Sequence, residues 1–224
     1  MLLSGSPAVT LAVHQGIGTI RLDAPPLNVL DDRGRDELRR VVEQAAERPD
    51  VKAVILYGGR NKFSAGVEVR QFATLTYSEM LPYALRIQET FTAVAEMPKP
   101  VVAAITGFAV GGGCELALTA DHRVCAANAR IGLPETTLGV IPGAGGTQRL
   151  SRLIGVSPAK EMIYTGAVLS ASRAKEIGLV DVVVPAGEVL ATATTWAARF
   201  TGHDRHARGD ASRIRLRARE EGGN

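Results

Sequence analysis

Short apolar runs of strand length alternate with longer amphipathic stretches along most of this chain, and that alternation limits the fold more than any other feature. Residues 51–57, which are apolar apart from Lys52, and residues 101–105 form runs that are typical of strands buried on both faces of a sheet. Apolar residues recur at helical spacing between these runs, over residues 78–96. Strands that alternate with helices favour an α/β fold with parallel or mixed sheets. We therefore predict that the strands at 51–57 and 101–105 lie side by side.

The rest of the chain up to residue 200 continues this pattern. Two stretches of alternating residues, 8–14 and 16–22, predict a hairpin near the N-terminus. A helix that begins at Asp31 or Asp32 and ends at Glu47 follows the hairpin. Its predicted apolar face consists of Leu38, Val41, Val42 and Ala45. Further helices are predicted over 111–120, 147–153, 158–164, 171–177 and 188–200, and further strands over 122–126, 130–132 and 180–184.

The character of the chain changes after Phe200, and we divide it there into a core domain, 1–200, and an Arg-rich tail, 201–224. The tail has little apolar content beyond Ile214 and Leu216. Because such a segment can bury little surface, we expect it to be disordered or weakly helical.

The composition is ordinary for a soluble globular protein and argues against several other classes of protein. No apolar run approaches the about 20 residues that span a bilayer, and the N-terminus lacks the features of a signal peptide. We expect a cytoplasmic protein that binds neither membranes nor nucleic acid, because the net charge is only +3. Cys114 and Cys125 lie in apolar runs without metal-ligand spacing, and the histidines are scattered, so we predict no metal site.

Three junctions between a loop and a helix could carry chemistry: segments 62–70, 107–117 and 133–150. Glycines in the first two allow the backbone to approach a ligand closely at a helix N-terminus, where free N–H groups can bind one oxygen. Two such donors from separate loops would form an oxyanion hole. Either loop taken alone is better explained by an ordinary turn with a capping glycine.

Two glutamates in these segments are candidate acid–base groups. Glu115 lies in the apolar stretch 111–120, where burial would raise the pKa of its carboxyl group. A paired carboxylate of the core explains Glu115 equally well. Glu135 follows Pro134, and taken alone it is better explained as an acid at a helix N-terminus.

Taken together, the three segments resemble the crotonase family of enoyl-CoA hydratases and isomerases. The similar motifs are Phe-Ser-Ala-Gly at 63–66, Gly-Gly-Gly-Cys-Glu-Leu at 111–116, Pro-Glu at 134–135 and Gly-Ala-Gly-Gly-Thr-Gln-Arg-Leu at 143–150. The resemblance covers about residues 9–200 and implies a crotonase-like α/β fold, a spiral of β-β-α units. The chain departs from the family at Glu68, where the family commonly has Asp, and in the C-terminal helical region, which we expect to be shortened or altered.

The resemblance also implies an activity, the addition of water to a trans-2-enoyl-CoA to give a 3-hydroxyacyl-CoA. It implies that the amides of Val67 and Gly112 bind the thioester carbonyl oxygen. Glu115 would activate the water for attack at C3, and Glu135 would protonate C2. The residues implied to bind or border the substrate are Ala65, Gly66, Glu68, Val69, Arg70 and Gly143. We expect no cofactor, since coenzyme A is part of the substrate, and a homo-oligomer, a trimer or hexamer.

The sequence also bears on functions other than hydration. Another crotonase activity, such as isomerisation of enoyl-CoA, is disfavoured because both glutamates are present. A non-catalytic acyl-CoA-binding protein remains open. A dinucleotide-binding enzyme is disfavoured because Gly143-Ala-Gly-Gly-Thr lacks the G-x-G-x-x-G spacing, and a serine hydrolase because no G-x-S-x-G motif is present.

Overall fold

A computed structural model of the chain describes residues 6–69, 71 and 74–202. The strands in this part of the chain are Val9–His14 (β1), Ile17–Leu22 (β2), Val29–Leu30 (β3), Ala53–Tyr57 (β4), Gly66–Val67 (β5), Val101–Ile105 (β6), Phe108–Val110 (β7), His122–Ala126 (β8), Arg130–Gly132 (β9), Val168–Ser170 (β10) and Val182–Val184 (β11). The helices are Asp32–Glu47 (α1), Tyr77–Ala95 (α2), Gly112–Ala117 (α3), Gly146–Ile154 (α4), Val156–Thr165 (α5), Ala171–Glu176 (α6) and Val189–Ala198 (α7).

The main sheet has six strands in the order β1-β2-β4-β6-β8-β11. β1 and β2 form the predicted antiparallel hairpin, and every other neighbouring pair is parallel. All residues of β4 and β6 are buried, as their apolar runs predict for central strands covered on both faces. The prediction that β4 and β6 lie side by side is confirmed, and so is the α/β class.

The two long helices also follow the sequence pattern. α1 begins at Asp32, where the side chain of Asp31 accepts a hydrogen bond from the backbone N–H of Gly34, an N-cap interaction. α2 begins after Thr76, whose side chain and backbone pair with Glu79 in a capping box. The residues predicted to form the apolar face of α1, namely Leu38, Val41, Val42 and Ala45, are all buried.

Two smaller sheets, β3-β5 and β10-β9-β7, were not predicted apart from β9. Their strands have only two or three residues, which is too short to show a periodic pattern. An isolated parallel bridge between Ser64 and Ala109 joins the segment before β5 to β7. A Cβ atom at Gly113 would lie 2.1 Å from the carbonyl oxygen of Ser64, so two of the glycine-bearing junctions meet backbone to backbone.

Some predicted bounds were wrong, most of all those of α3, which spans Gly112–Ala117 rather than 111–120. The chain turns after the helix because the hydroxyl and the N–H of Thr119 both donate to the carbonyl oxygen of Leu116. Arg123 then donates to the carbonyl oxygen of Ala120, which leads the chain into β8. β11 starts two residues later than predicted, and α7 ends at Ala198.

The predicted tail, 201–224, lies outside the described residues except for Thr201 and Gly202. Among the helices of the described residues, none combines the length and the apolar character that crossing a membrane requires.

Candidate active site

A cavity of about 480 Å³ lies between α2, β5, α3 and the segment that follows β9. Glu115 and Glu135 both line it, so the two glutamates singled out in the sequence share one site. Most of the remaining wall is apolar. The other lining residues are Ala65, Val67, Val69, Met80, Tyr83, Ala84, Ile87, Val110, Gly111, Gly112, Pro134, Leu138, Val140, Ile141, Gly143 and Ala144.

Glu115 projects from α3 and is only 3% exposed, as its apolar helix predicts. Its Oε1 atom accepts two backbone hydrogen bonds, from Ala144 at 2.8 Å and from Gly146 at 2.7 Å. Burial raises the pKa of the Glu115 carboxyl group, while the two amides and the nearby charge of Arg149 oppose that rise. Glu115 is therefore a buried carboxyl group whose ionised form is supported by fixed donors.

The amides that hold Glu115 come from a tight turn at residues 143–146. Gly145 has φ of +100°, a conformation that favours glycine, and a Cβ atom at Gly146 would lie 2.8 Å from Oε1 of Glu115. At Gly143, by contrast, a Cβ atom would meet only the carbonyl oxygen of Ile141, at 3.9 Å. Gly143 does line the cavity, but close approach to the carboxylate requires glycine at Gly145 and Gly146.

Glu135 begins a short 3₁₀ turn, Glu135–Leu138, directly after β9 and Pro134. Its Oε2 atom is buried and has no hydrogen-bond partner among the described residues. Burial, and then the charge of Glu115, raise the pKa of Glu135 to about 7. The two carboxyl groups thus differ, since Glu115 has amide donors and Glu135 holds a proton close to neutral pH.

The backbones of Val67 and Gly112 lie close together in the cavity wall. The N–H of Glu68, the residue after β5, donates to the carbonyl oxygen of Leu30 in β3 at 3.4 Å. Gly112 is the first residue of α3, where N–H groups lack an acceptor within the helix. A Cβ atom at Gly112 would lie 3.2 Å from the nitrogen of Val67.

The structure brings only part of the predicted substrate-binding set to the cavity. Ala65, Val69 and Gly143 line it. Gly66 and Glu68 are not among its lining residues, although a Cβ atom at Gly66 would lie 2.6 Å from the nitrogen of Gly112. Arg70 lies outside the described residues.

Sequence reasoning missed the contribution of α2 to this site. Tyr83 and Ile87 are among the apolar residues that recur at helical spacing over 78–96, and both are buried, yet they form part of the cavity wall. The hydroxyl group of Tyr83 accepts a hydrogen bond from Arg35 at 3.0 Å and donates one to Gln71 at 2.8 Å. Helical periodicity identifies the inward face but does not distinguish a packed core from a cavity.

The cysteine beside Glu115 is not arranged for chemistry. Cys114 is fully buried, and burial, followed by the charges of Glu135 and Glu115, raises the pKa of its thiol well above the usual value. Among residues 6–69, 71 and 74–202, no three His, Cys, Asp or Glu side chains come together as potential metal ligands.

The family described as "Enoyl-CoA hydratase/isomerase" matches residues 12–212 of the chain, which extends beyond Phe200, where the sequence resemblance was expected to end. "Probable enoyl-CoA hydratase EchA17" of Mycobacterium tuberculosis is 40% identical over 192 residues, which are 86% of this chain and 74% of that protein. "Peroxisomal fatty acid beta-oxidation multifunctional protein AIM1" of Arabidopsis thaliana is 40% identical over 192 residues, 84% of this chain but only 27% of that protein. The crystal structure of an enoyl-CoA hydratase from Bacillus anthracis superposes with a TM-score of 0.85 at 36% identity, covering 96% of this chain and 88% of that chain. The predicted crotonase-like fold is therefore confirmed.

Proposed function

Because the chain belongs to the enoyl-CoA hydratase/isomerase family, we propose that it is an enoyl-CoA hydratase, which adds water to a trans-2-enoyl-CoA and gives a 3-hydroxyacyl-CoA. One observation carries this proposal: Glu115 and Glu135 line the same cavity as the adjacent backbone of Val67 and Gly112. Hydration needs one group that takes a proton, one that gives a proton and a site that stabilises the negative charge between these steps.

The reaction then proceeds as follows. The thioester carbonyl oxygen accepts hydrogen bonds from the N–H groups of Val67 and Gly112. Glu115 takes a proton from water, and the water oxygen forms a bond to C3 while the electrons of the C2–C3 double bond move to the thioester oxygen. The enolate that forms is stabilised by the two N–H groups. Glu135 gives its proton to C2, and the carbonyl group is restored.

The environments of the two glutamates support this division of roles. Two amides donate to one oxygen of Glu115, which favours its carboxylate form and so its action as a base. Glu135 has a buried oxygen without a partner among the described residues and a pKa raised to about 7, which suits a group that donates a proton near neutral pH.

The wall of the cavity supports an acyl-CoA thioester as the substrate. The side chains of Met80, Ala84 and Ile87 on α2 offer apolar surface to an acyl chain. Ala65, Gly66, Glu68, Val69 and Arg70 are proposed to lie along the pantetheine and adenine ends of coenzyme A. Gly143 is proposed to lie beside the water. No cofactor is needed for these steps.

The wider setting is part of the same proposal. The name of the Arabidopsis relative supports a role in fatty acid β-oxidation. The family resemblance supports a homo-oligomer, and a cytoplasmic location is proposed with it.

The test is a spectrophotometric assay of the purified chain that follows the loss of the enoyl thioester absorbance with crotonyl-CoA. A 3-enoyl-CoA serves as the matched substrate in a second assay. Hydratase activity predicts turnover of the 2-enoyl thioester. Turnover confined to the 3-enoyl thioester would instead identify an isomerase, and binding of both thioesters without turnover would identify an acyl-CoA-binding protein.

A further inference from the structure

The turn that supplies two amides to Glu115 is held from its other side by three sets of donors. Gln88 on α2 donates its Nε2–H to the carbonyl oxygen of Gly143 at 2.8 Å. Arg149 on α4 donates to the carbonyl oxygen of Ala144 at 2.7 Å. The carbonyl oxygen of Gly145 accepts the backbone N–H groups of Gln148, at 3.1 Å, and Arg149, at 2.9 Å. Three consecutive carbonyl oxygens of the turn therefore accept hydrogen bonds.

These bonds determine where the amides point, because the peptide unit is planar and its C=O and N–H groups are directed oppositely. The N–H of Ala144 belongs to the same peptide unit as the carbonyl of Gly143, which Gln88 holds. The N–H of Gly146 belongs to the same unit as the carbonyl of Gly145, which α4 holds. The peptide unit between these two is held by the side chain of Arg149.

Arg149 is itself fixed in place. Its second terminal nitrogen contacts the hydroxyl group of Thr92 on α2 at 3.3 Å. A Cβ atom at Gly145 would lie 2.3 Å from its first, so the guanidinium group fills the space that a side chain would occupy at Gly145. The exposed Arg152, one turn along α4, makes no hydrogen bond to the turn at 143–146 within the part of the chain that the structure describes.

We propose that Arg149 and Gln88 are positioning residues that aim the amides of Ala144 and Gly146 at one oxygen of Glu115, and so keep Glu115 ionised with its other oxygen available to the attacking water. This inference rests on the proposed hydratase function and deepens it. Arg149 contributes both orientation and positive charge, whereas Gln88 contributes orientation alone.

The charged and titratable groups around Glu115 determine the sign of the expected pH effect. Arg149 on α4 and Glu135 in the 3₁₀ turn interact with it electrostatically. The Cys114 thiol on its own helix interacts with both glutamates and with Arg123 on β8. Burial raises the pKa of Glu115, and the amides and Arg149 oppose the rise. Loss of Arg149 removes one of the effects that oppose this rise, so the pKa of Glu115 rises further. The carboxylate form of Glu115, which acts as the base, is then lost mainly at low pH.

The test compares Arg149→Met, Arg149→Lys and Gln88→Met with Arg152→Met as the matched control on the same helix. kcat/KM for crotonyl-CoA is measured from about pH 5 to about pH 9, together with the melting temperature. We expect Arg149→Met to lower kcat/KM about tenfold near pH 6 but about threefold or less near pH 9. The kcat/KM of Arg149→Lys, which keeps the charge, and that of Gln88→Met should fall between the values for Arg149→Met and the wild type. Arg152→Met should match the wild type at every pH.

A second readout does not depend on activity. The Glu115 carboxyl carbon is titrated by ¹³C NMR in protein labelled at glutamate, and its signal is identified by its loss in Glu115→Gln. The proposal predicts a higher titration midpoint in Arg149→Met than in the wild type, and in Arg149→Lys a midpoint closer to that of the wild type. An unchanged midpoint, or a fall in kcat/KM that is uniform across pH, overturns it. Should the wild type fail to hydrate crotonyl-CoA, the proposed function fails, while the NMR midpoints still decide whether Arg149 supports the carboxylate.

Discussion

The main sheet and the two small sheets of this protein are built by different means. In β4 and β6 every residue is buried, and the two strands pair in a regular parallel ladder whose side chains are apolar. Around β5 and β7 the strands have two or three residues, and close backbone contacts replace side-chain packing. A Cβ atom at Gly113 would lie 2.1 Å from Ser64, for example.

Because of this difference, we expect the main sheet to determine stability and the region around the small sheets to determine catalysis. A buried ladder stabilises the fold through apolar area removed from water. Around the small sheets, close backbone approach accompanies a cavity that glutamates from two separate segments line. We therefore expect substitutions in the main sheet to act mainly on the free energy of unfolding, and substitutions of Glu115 and Glu135 to act mainly on the rate.

The largest expected effect is on catalysis. Glu115→Gln and Glu135→Gln should each fold and bind acyl-CoA, while kcat falls by at least about 10²-fold, because each variant removes a group that moves a proton. The exposed Glu161 on α5 offers a matched control, Glu161→Gln, which should keep the wild-type kcat. Wild-type rates in both cavity variants would refute the assignment of acid and base.

The next largest effect is a loss of stability when a side chain of the main sheet is shortened. Leu56 in β4 is fully buried, and Leu56→Ala should lower the free energy of unfolding by about 2–5 kcal/mol, through lost apolar contact and the space left behind. The kcat of the folded fraction should change little, since Leu56 does not line the cavity. Urea unfolding measures the first quantity and the crotonyl-CoA assay the second. A large loss of kcat with unchanged stability would break the separation between the two regions.

A smaller effect on stability should come from the cavity itself and depend on pH. Burial raises the pKa of Glu135 from 4.5 to about 7, so the folded state binds this proton more tightly than the unfolded chain. The free energy of unfolding therefore falls as the pH rises from about 4.5 to about 7. Glu135→Gln has no carboxyl proton to give up, so its free energy of unfolding does not fall in this way. It should be more stable than the wild type near pH 8 by about 1–3 kcal/mol.

Urea unfolding of Glu135→Gln and the wild type near pH 5 and pH 8 measures this difference. We expect it to be smaller at the lower pH, where the unfolded chain also begins to hold the proton. A difference that is the same at both pH values, or a variant less stable than the wild type near pH 8, would contradict the raised pKa.

The smallest effect is expected at the wall of the cavity on α2. Tyr83→Phe keeps the ring but loses the hydrogen bonds with Arg35 and Gln71, which should cost about 1 kcal/mol of stability. Because the apolar wall is retained, kcat with crotonyl-CoA should stay close to that of the wild type. Tyr164→Phe, at a side chain that is 72% exposed, is the control. A large fall in kcat in Tyr83→Phe would mean that its hydroxyl group takes part in the reaction.

The strands of the main sheet could be predicted from the sequence more completely than those of the small sheets, for physical reasons. β6, β8 and β9 have the predicted bounds, and for β6 the signal is local, an apolar run with a break at each end. β3 and β5 were missed, since two residues carry no period. The burial of Glu115 was predicted from its apolar helix and is confirmed.

The contacts that hold Glu115 were not predicted. Its partners Ala144 and Gly146 lie 29 and 31 residues away along the chain. The glycines at 145 and 146 indicate an unusual turn, but nothing in their pattern identifies the carboxylate that the turn would meet. Long-range contacts of this kind depend on how the elements pack.

Oxygen isotope incorporation is the sharpest test of whether this cavity adds water to an enoyl thioester. Crotonyl-CoA is incubated with the wild type in water enriched in ¹⁸O, and the product is analysed by mass spectrometry, with Glu115→Gln and Glu135→Gln in parallel. We predict that one ¹⁸O atom enters the 3-hydroxyl group in each turnover by the wild type, and that each variant incorporates it at least about 10²-fold more slowly. Recovery of unlabelled, unchanged crotonyl-CoA from wild-type protein that demonstrably binds it would contradict the account.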